Sequence, residues 1–216
     1  MDNFTILNKA ICIIAKRNSG KSEIIRYLLK YSISQNQFNK VYVICPTNSI
    51  NHFYDEYVDI NNIKESYQEE WIELLISKMS KINNGKTLQD HNPYNLLLIL
   101  DDVANDKAFA HSATIKKLYG RGRHCFISII TVAQQLHSLA TIQRSNSDYL
   151  ICGQINSSNI ILLSNEFLAP IINKKQFIQL YKQSTFDYNF FVINNNSVSE
   201  NVDDINSYYG MIKAIL

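Results

Sequence analysis

Long apolar runs are missing from this sequence of 216 residues, and none approaches the roughly 20 residues of a membrane-spanning helix. The first residues, Met1-Asp2-Asn3-Phe4, lack the basic and then apolar order of a secretory signal. The four cysteines include no C-x-x-C pair, and the five histidines share no spacing typical of metal ligands. We therefore expect no membrane span, no signal peptide and no zinc-type site, and we expect the cysteines to be reduced and buried.

A strong charge of either sign is also missing. Lys and Arg total 21 against 19 Asp and Glu, which gives a net charge of +2. A charge this small does not identify a nucleic-acid partner by itself. Hydrophobic residues make up 46% of the chain, which is typical of a globular protein. The length suits one α/β domain, and we predict a single domain over 1–216, with its core over about 8–195 and a closing helix over about 202–216.

Short, continuous apolar runs alternate with amphipathic segments along most of the chain. The runs predict strands buried on both faces of a parallel sheet, at 10–15, 40–45, 95–101, 126–132 and 148–153. The amphipathic segments predict helices at 22–34, 63–82, 108–119, 156–167 and 174–183. An added edge strand is predicted at 187–194 and an exposed loop at 83–93. Alternation of this kind favours right-handed crossovers and an α/β fold with a mainly parallel sheet flanked by helices.

The first predicted strand runs directly into a phosphate-binding loop. The segment fits the template G-x-x-x-x-G-K-[ST] except at its first position, and reads Ala15-Lys16-Arg17-Asn18-Ser19-Gly20-Lys21-Ser22. We predict that these eight residues bind nucleotide phosphates, with Lys21 on the β and γ oxygens and Ser22 on Mg²⁺. Because alanine tolerates positive φ less well than glycine, we expect a slightly different backbone at Ala15. The alternative is a solvated loop with a chance Gly-Lys-Ser.

Polar side chains follow two later strands. Asp101 and Asp102 end the run at 95–101, and we predict that Asp101 holds Mg²⁺ while Asp102 orients the attacking water. Gln134 follows the run at 126–132, where a neighbouring strand would bring its amide near the γ-phosphate. The alternatives are an ordinary Asp-Asp turn and an ordinary polar end to a strand.

Basic residues are densest just before the strand at 126–132. They are Lys116, Lys117, Arg121 and Arg123. Arginines at this position can reach the γ-phosphate of a neighbouring subunit or contact DNA phosphates. The third possibility is a solvated basic loop.

Taken in order, these motifs resemble those of the poxvirus-type genome-packaging ATPases of large DNA viruses and virophages, which belong to the FtsK–HerA group of P-loop motors. The resemblance covers about 8–195. Besides the phosphate-binding loop it rests on Val41-Tyr42-Val43-Ile44-Cys45-Pro46-Thr47, Leu98-Ile99-Leu100-Asp101-Asp102, Gly122-Arg123-His124, Ile127-Ser128-Ile129-Ile130, Gln134, Leu139-Ala140-Thr141-Ile142-Gln143-Arg144-Ser145-Asn146 and Tyr188-Asn189-Phe190-Phe191-Val192-Ile193-Asn194. The chain departs from the family at Ala15 and Ala140, where the family has Gly and Pro, and at Gln143, where it has an apolar residue.

The resemblance implies a RecA-like P-loop fold and an ATPase that uses Mg²⁺ and pumps double-stranded DNA into a preformed capsid. It implies a ring of five or six subunits that works with capsid or portal-vertex proteins, in the host cytoplasm (the viral factory) and the virion. Arg123 would be the trans-acting arginine, with Arg121 and Arg144 as further candidates. Arg144, Lys116 and Lys117 would act in trans or contact DNA.

Other functions share the phosphate-binding loop. A nucleoside or nucleotide kinase would need an acceptor pocket and a basic lid, and the Asp101-Asp102 pair and Gln134 favour hydrolysis instead. A binding module that does not turn over ATP would explain Ala15, but Lys21 and Ser22 are retained. Another DNA-transfer motor of the FtsK–HerA group is a further alternative.

Overall fold

A single sheet organises the protein. The computed structural model describes residues 5–104, 106, 108–109, 112–168, 172–196 and 209–213. The strands found there are β1 (Ala10–Ile14), β2 (Lys40–Ile44), β3 (Ile63–Lys64), β4 (Leu96–Asp101), β5 (Ile127–Ala133), β6 (Tyr149–Cys152), β7 (Asn189–Asn194) and β8 (Tyr209–Lys213). Their order across the sheet is β3-β2-β4-β5-β1-β6-β7-β8.

Most of the sheet is parallel, as predicted. The six strands β3, β2, β4, β5, β1 and β6, in that order across the sheet, pair in parallel. Strand β7 pairs antiparallel with β6 and with β8. All residues of β1 and β5 are buried, because helices cover both faces and the strands are continuously apolar. The five predicted strands are all present with ends shifted by no more than one or two residues.

Helices form a layer on each face of the sheet. They are α1 (Lys21–Ser34), α2 (Asn48–Asn51), α3 (Glu69–Ile82), α4 (Ala113–Arg121), α5 (Thr141–Ser145), α6 (Ser157–Leu163) and α7 (Lys174–Ser184). Helix α1 packs on the face that carries Ile11 and Ile13 of β1. Helices α3, α4, α6 and α7 pack on the other face, which carries Cys12 and Ile14. The alternating side chains of a single strand therefore contribute to two separate cores.

Two predicted helices differ from the structure in their first residues. Residues 63–64 form β3 instead of a helix, because the Asp59 side chain accepts the N–H of Asn61 (2.9 Å) and begins a 3₁₀ turn that returns the chain to β2. Helix α3 then begins at Glu69. Residues 108 and 109 are helical as predicted, but a new helix, α4, begins at Ala113, where the Ser112 side chain caps it by accepting the N–H of Ile115 at 3.1 Å.

The carboxyl-terminal prediction is wrong where the structure describes it. Residues 209–213 of the predicted closing helix form β8, which pairs with β7, so β7 is not the edge strand. The physical reason is that β7 offers an unpaired row of backbone groups, and Tyr209 and Gly210 favour helix poorly. The rest of the predicted helix, 202–208 and 214–216, lies outside the described residues. The single-domain boundaries stay a prediction.

The loop over 83–93 is a loop, as predicted. Cys12, Cys45 and Cys152 are buried, Cys125 is partly buried, and all four are free thiols. Within the described ranges, the structure contains no helix with the length and apolar character that a bilayer crossing requires.

Gly153 compensates for the alanine at the start of the phosphate-binding loop. A Cβ placed on Gly153 would lie 2.8 Å from the Ala15 Cβ and 2.8 Å from the Phe190 Cε1. The Cβ atoms of real proteins essentially never lie this close to an atom to which they are not bonded. The methyl group of Ala15 therefore requires a glycine at position 153. The position is rigid, since the Gly153 carbonyl also accepts the Tyr181 hydroxyl at 2.5 Å.

We expect Gly153→Ala to lower the free energy of unfolding by about 1–3 kcal/mol, the usual cost of overpacking. Urea denaturation measures it. Gly120→Ala is the matched control, because nothing lies within 4 Å of a Cβ there and the residue is helical. Ala15→Gly in the Gly153→Ala chain should recover part of the loss, since Phe190 remains. Equal stability of Gly153→Ala and wild type would contradict the packing argument.

Candidate nucleotide site

The predicted nucleotide-binding and catalytic groups meet at one edge of the sheet. The phosphate-binding loop follows β1, Asp101 and Asp102 end β4, and Gln134 follows β5. Since β5 lies between β4 and β1, and all three are parallel, their carboxyl ends are adjacent. Ligands of parallel α/β sheets bind at this edge.

The loop is anchored at its entry and open at its helical end. The N–H of Ala15 donates to the Ala133 carbonyl (3.2 Å), and the N–H of Lys16 donates to the Gln154 carbonyl (2.8 Å). Positive φ occurs at Asn18 (55°) and Gly20 (85°), not at Ala15, so the alanine is accommodated without backbone strain.

The backbone N–H groups between Arg17 and Glu23 form the part of the loop suited to an anion. None of them has an acceptor among the described residues. Ser19 is buried within this stretch, while Lys16, Asn18 and Ser22 are exposed. Because the stretch leads into the amino terminus of α1, its donors and the helix dipole both favour bound phosphate.

Lys21 lies across the mouth of the loop. Its Nζ donates to the carbonyl oxygens of Ala15 (2.6 Å) and Lys16 (2.7 Å). Burial lowers the pKa of Lys21, and the negative charges of Asp101 and Asp102 act in the opposite direction. The ammonium group is thus held by the loop carbonyls and lies within the electrostatic field of both carboxylates.

Asp101 is oriented by a residue that sequence reasoning missed. Its Oδ2 accepts the hydroxyl of Tyr54 at 2.8 Å, and the Cys45 Sγ lies 3.9 Å away. Burial raises the pKa of Asp101, whereas the Tyr54 hydrogen bond lowers it. Tyr54 carries no sequence signal that separates it from the many tyrosines of the core, 47 residues before the aspartate it contacts.

The donor set at this edge fits Mg²⁺. Oδ1 of Asp101 has no donor among the described residues, and the Ser22 hydroxyl is exposed at the first turn of α1. Carboxylate and hydroxyl oxygens are the hard ligands that Mg²⁺ takes beside phosphate.

Asp102 follows the last residue of β4, where the chain turns. Its φ is 59°, in the left-handed region that Asp tolerates better than most residues. Its carboxylate is exposed, and Oδ1 accepts a hydrogen bond from the Gln134 Nε2 at 3.3 Å. The structure therefore places the predicted water-orienting carboxylate and the predicted phosphate-sensing amide in contact.

The predicted basic residues lie elsewhere. Arg123 is exposed on the 3₁₀ turn Gly122–Cys125 before β5, at the amino ends of the strands and so opposite the phosphate-binding loop. There it lines a polar depression of about 230 Å³ with Lys9 and Asp148. Lys116, Lys117 and Arg121 are exposed on α4, which leads to the same turn.

Arg144 differs from the other basic residues because it is buried. Its Nε donates to Glu166 Oε2 at 2.7 Å, and its Nη2 donates to Glu166 Oε1 at 2.5 Å. Its Nη1 donates to the carbonyls of Leu136 and Leu139. The guanidinium is satisfied within the fold in this arrangement, which leaves Arg121 and Arg123 as the exposed arginines of the predicted set.

Two viral proteins are similar to this chain in sequence, and a viral NTPase is similar to it in structure. Uncharacterized protein 075L of Invertebrate iridescent virus 6 is 31% identical over 201 residues, which cover 91% of this chain and 74% of that protein. Uncharacterized protein L437 of Acanthamoeba polyphaga mimivirus is 23% identical, with 94% and 72% covered. The genome packaging NTPase B204 of Sulfolobus turreted icosahedral virus 2, solved with ATP-gammaS, superposes with a TM-score of 0.65 at 15% identity over 96% of this chain and 98% of B204. This superposition confirms the predicted P-loop NTPase fold.

The model of one family matches nearly the entire chain. It describes the Poxvirus A32 protein and matches residues 3–208. The match extends from before β1 to the residues preceding β8, and it includes the phosphate-binding loop, Asp101, Asp102 and Gln134. The resemblance inferred from the motifs is confirmed, and the chain belongs to the poxvirus A32 protein family.

Proposed function

We propose that this protein is a Mg²⁺-dependent ATPase that translocates double-stranded DNA and packages a viral genome into a preformed capsid. One observation carries the proposal: the unpartnered N–H groups between Arg17 and Glu23 share one sheet edge with Lys21, Asp101 and the Asp102–Gln134 pair. Membership of the poxvirus A32 protein family and the likeness to B204, a genome packaging NTPase by its own description, support it.

Binding of ATP follows from the loop. The N–H groups from Arg17 onwards would donate to the β and α phosphates, and Lys21 would exchange its bonds to the Ala15 and Lys16 carbonyls for phosphate oxygens. Ser22 and Asp101 would hold Mg²⁺. When bound, Mg²⁺ neutralises charge on the β- and γ-phosphate oxygens.

Hydrolysis would use Asp102 and Gln134. Asp102 would orient a water molecule whose oxygen bonds to the γ-phosphorus as the bond to the β–γ bridging oxygen breaks. The proton of the water passes to the Asp102 carboxylate. Gln134, which contacts Asp102, would also contact the γ-phosphate and lose that contact when phosphate leaves.

DNA movement would need several subunits. Arg123 lies at the edge of the sheet opposite the phosphate-binding loop, so it would complete a site only in a neighbouring subunit of a ring of five or six. The exposed Lys116, Lys117 and Arg121 would contact DNA phosphates, and such contacts do not depend on the base sequence. The ring would dock on capsid or portal-vertex proteins, and it would work in the viral factory of the host cytoplasm and in the virion.

Steady-state ATP hydrolysis with and without long double-stranded DNA tests this function. We expect DNA to raise turnover, and added salt to remove the increase, because phosphate contacts weaken as counterions compete. Heparin, a polyanion that cannot be translocated, is the control for charge alone. A rate of ATP hydrolysis that DNA does not change would contradict the translocase function. Transfer of phosphate to a nucleoside instead of to water would favour a kinase.

A further inference from the structure

The segment that follows β2 crosses the carboxyl end of β4. Within it, Tyr54 is fully buried (0% exposed), and its backbone N–H donates to Asn48 Oδ1 at 2.9 Å. Asn48 is itself 2% exposed and donates through Nδ2 to Asp55 Oδ1 at 2.8 Å. The Phe53 ring packs edge-on against the Tyr54 ring, with 4.8 Å between centroids. The phenol is therefore fixed by its own segment, independently of Asp101.

The fixed phenol donates its hydroxyl to one oxygen of Asp101, over 2.8 Å. A carboxylate at the end of a strand has broad freedom about its last side-chain bond, so a rigid donor at this short distance determines how it is turned. The Cys45 Sγ adds a longer contact, at 3.9 Å, to the same oxygen. With Oδ2 occupied, Oδ1 is the oxygen left for a cation beside the phosphate-binding loop. Asp102, in contrast, is held by the Gln134 amide at an exposed rim.

We propose that Tyr54 is a positioning residue for Asp101, which it turns so that Oδ1 can bind the Mg²⁺ that accompanies nucleotide. This inference rests on the proposed ATPase function. Partners of this kind, one step removed from a metal, fix the orientation of its ligands, and their loss typically costs about 10–100-fold in metal affinity. A hydroxyl with only a packing role would leave metal affinity unchanged.

The test is Tyr54→Phe, which removes only the hydroxyl. The Mn²⁺ concentration that half-saturates the protein in the presence of ATP-gammaS is measured by electron paramagnetic resonance, and ATP-gammaS binding is also measured without metal. We expect Tyr54→Phe to raise the half-saturating Mn²⁺ concentration by about 10-fold and to leave metal-free nucleotide affinity unchanged. Tyr119→Phe is the matched control: Tyr119 is buried and donates to the Thr131 Oγ1 at 2.6 Å, away from the site.

A second variant keeps the test decisive if Tyr54→Phe unfolds. Asn48→Ala removes the acceptor of the Tyr54 N–H and should raise the half-saturating Mn²⁺ concentration by a smaller factor. Wild-type Mn²⁺ affinity in both folded variants, or equal weakening of metal-free and metal-dependent binding, would overturn the positioning role. Wild-type protein that binds no nucleotide would instead contradict the proposed ATPase function, and the positioning role with it.

Discussion

Lys21→Ala is expected to lower kcat for ATP hydrolysis by about 100- to 1,000-fold, the usual cost of losing one preorganised group that neutralises transition-state charge. Its Nζ is the cation that the loop carbonyls hold within the electrostatic field of Asp101 and Asp102. Without it, charge that develops on the transferred phosphate would face Asp101 and Asp102 unbalanced. Phosphate release under saturating ATP and Mg²⁺ measures the effect.

Lys78→Ala is the control for this substitution. Lys78 is an exposed lysine on α3, on the face of the sheet opposite α1, and its loss should leave kcat unchanged. Thermal unfolding of Lys21→Ala should resemble that of wild type, because the lysine is only half-buried. A Lys21→Ala protein that keeps more than about a tenth of wild-type turnover would refute the assigned role.

Arg123→Ala is expected to lower kcat of the assembled protein by about 1,000-fold, at the lower end of the range for arginines supplied by a neighbour. Nucleotide affinity of the isolated subunit should not change, because Arg123 lies at the opposite edge of the sheet from the phosphate-binding loop. Arg121→Ala, on the same exposed stretch, shows whether the effect belongs to one arginine or to the basic patch.

Mixing variants separates action in trans from action within a subunit. In a mixture of Lys21→Ala and Arg123→Ala subunits, some interfaces pair an intact loop with an intact Arg123. We therefore expect the mixture to regain activity that neither variant has alone. A mixture as inactive as its parts, or DNA-stimulated turnover retained by Arg123→Ala alone, would contradict the trans-acting role.

The strands and the phosphate-binding loop could be predicted because their signals are local. Continuous apolar runs place β1, β4 and β5 to within one residue, and a Gly-Lys-Ser between a buried strand and an amphipathic helix indicates a phosphate-binding loop. Likewise, Asp101 and Asp102 follow β4 in sequence. The short β3 and the late β8 could not be predicted, since each forms only where a neighbouring strand offers unpaired backbone groups.

The contacts within the site depend on the order of strands across the sheet. The sequence by itself determined which chemical groups stand at the ends of strands, and so the nucleotide-binding class of the protein. Only the tertiary structure decided that Gln134 meets Asp102, that Tyr54 holds Asp101, that Glu166 satisfies Arg144 and that Gly153 admits Ala15. The physical reason is that each of these pairs joins residues far apart in the chain. Their meeting depends on sheet order and packing, which no local pattern of residues encodes.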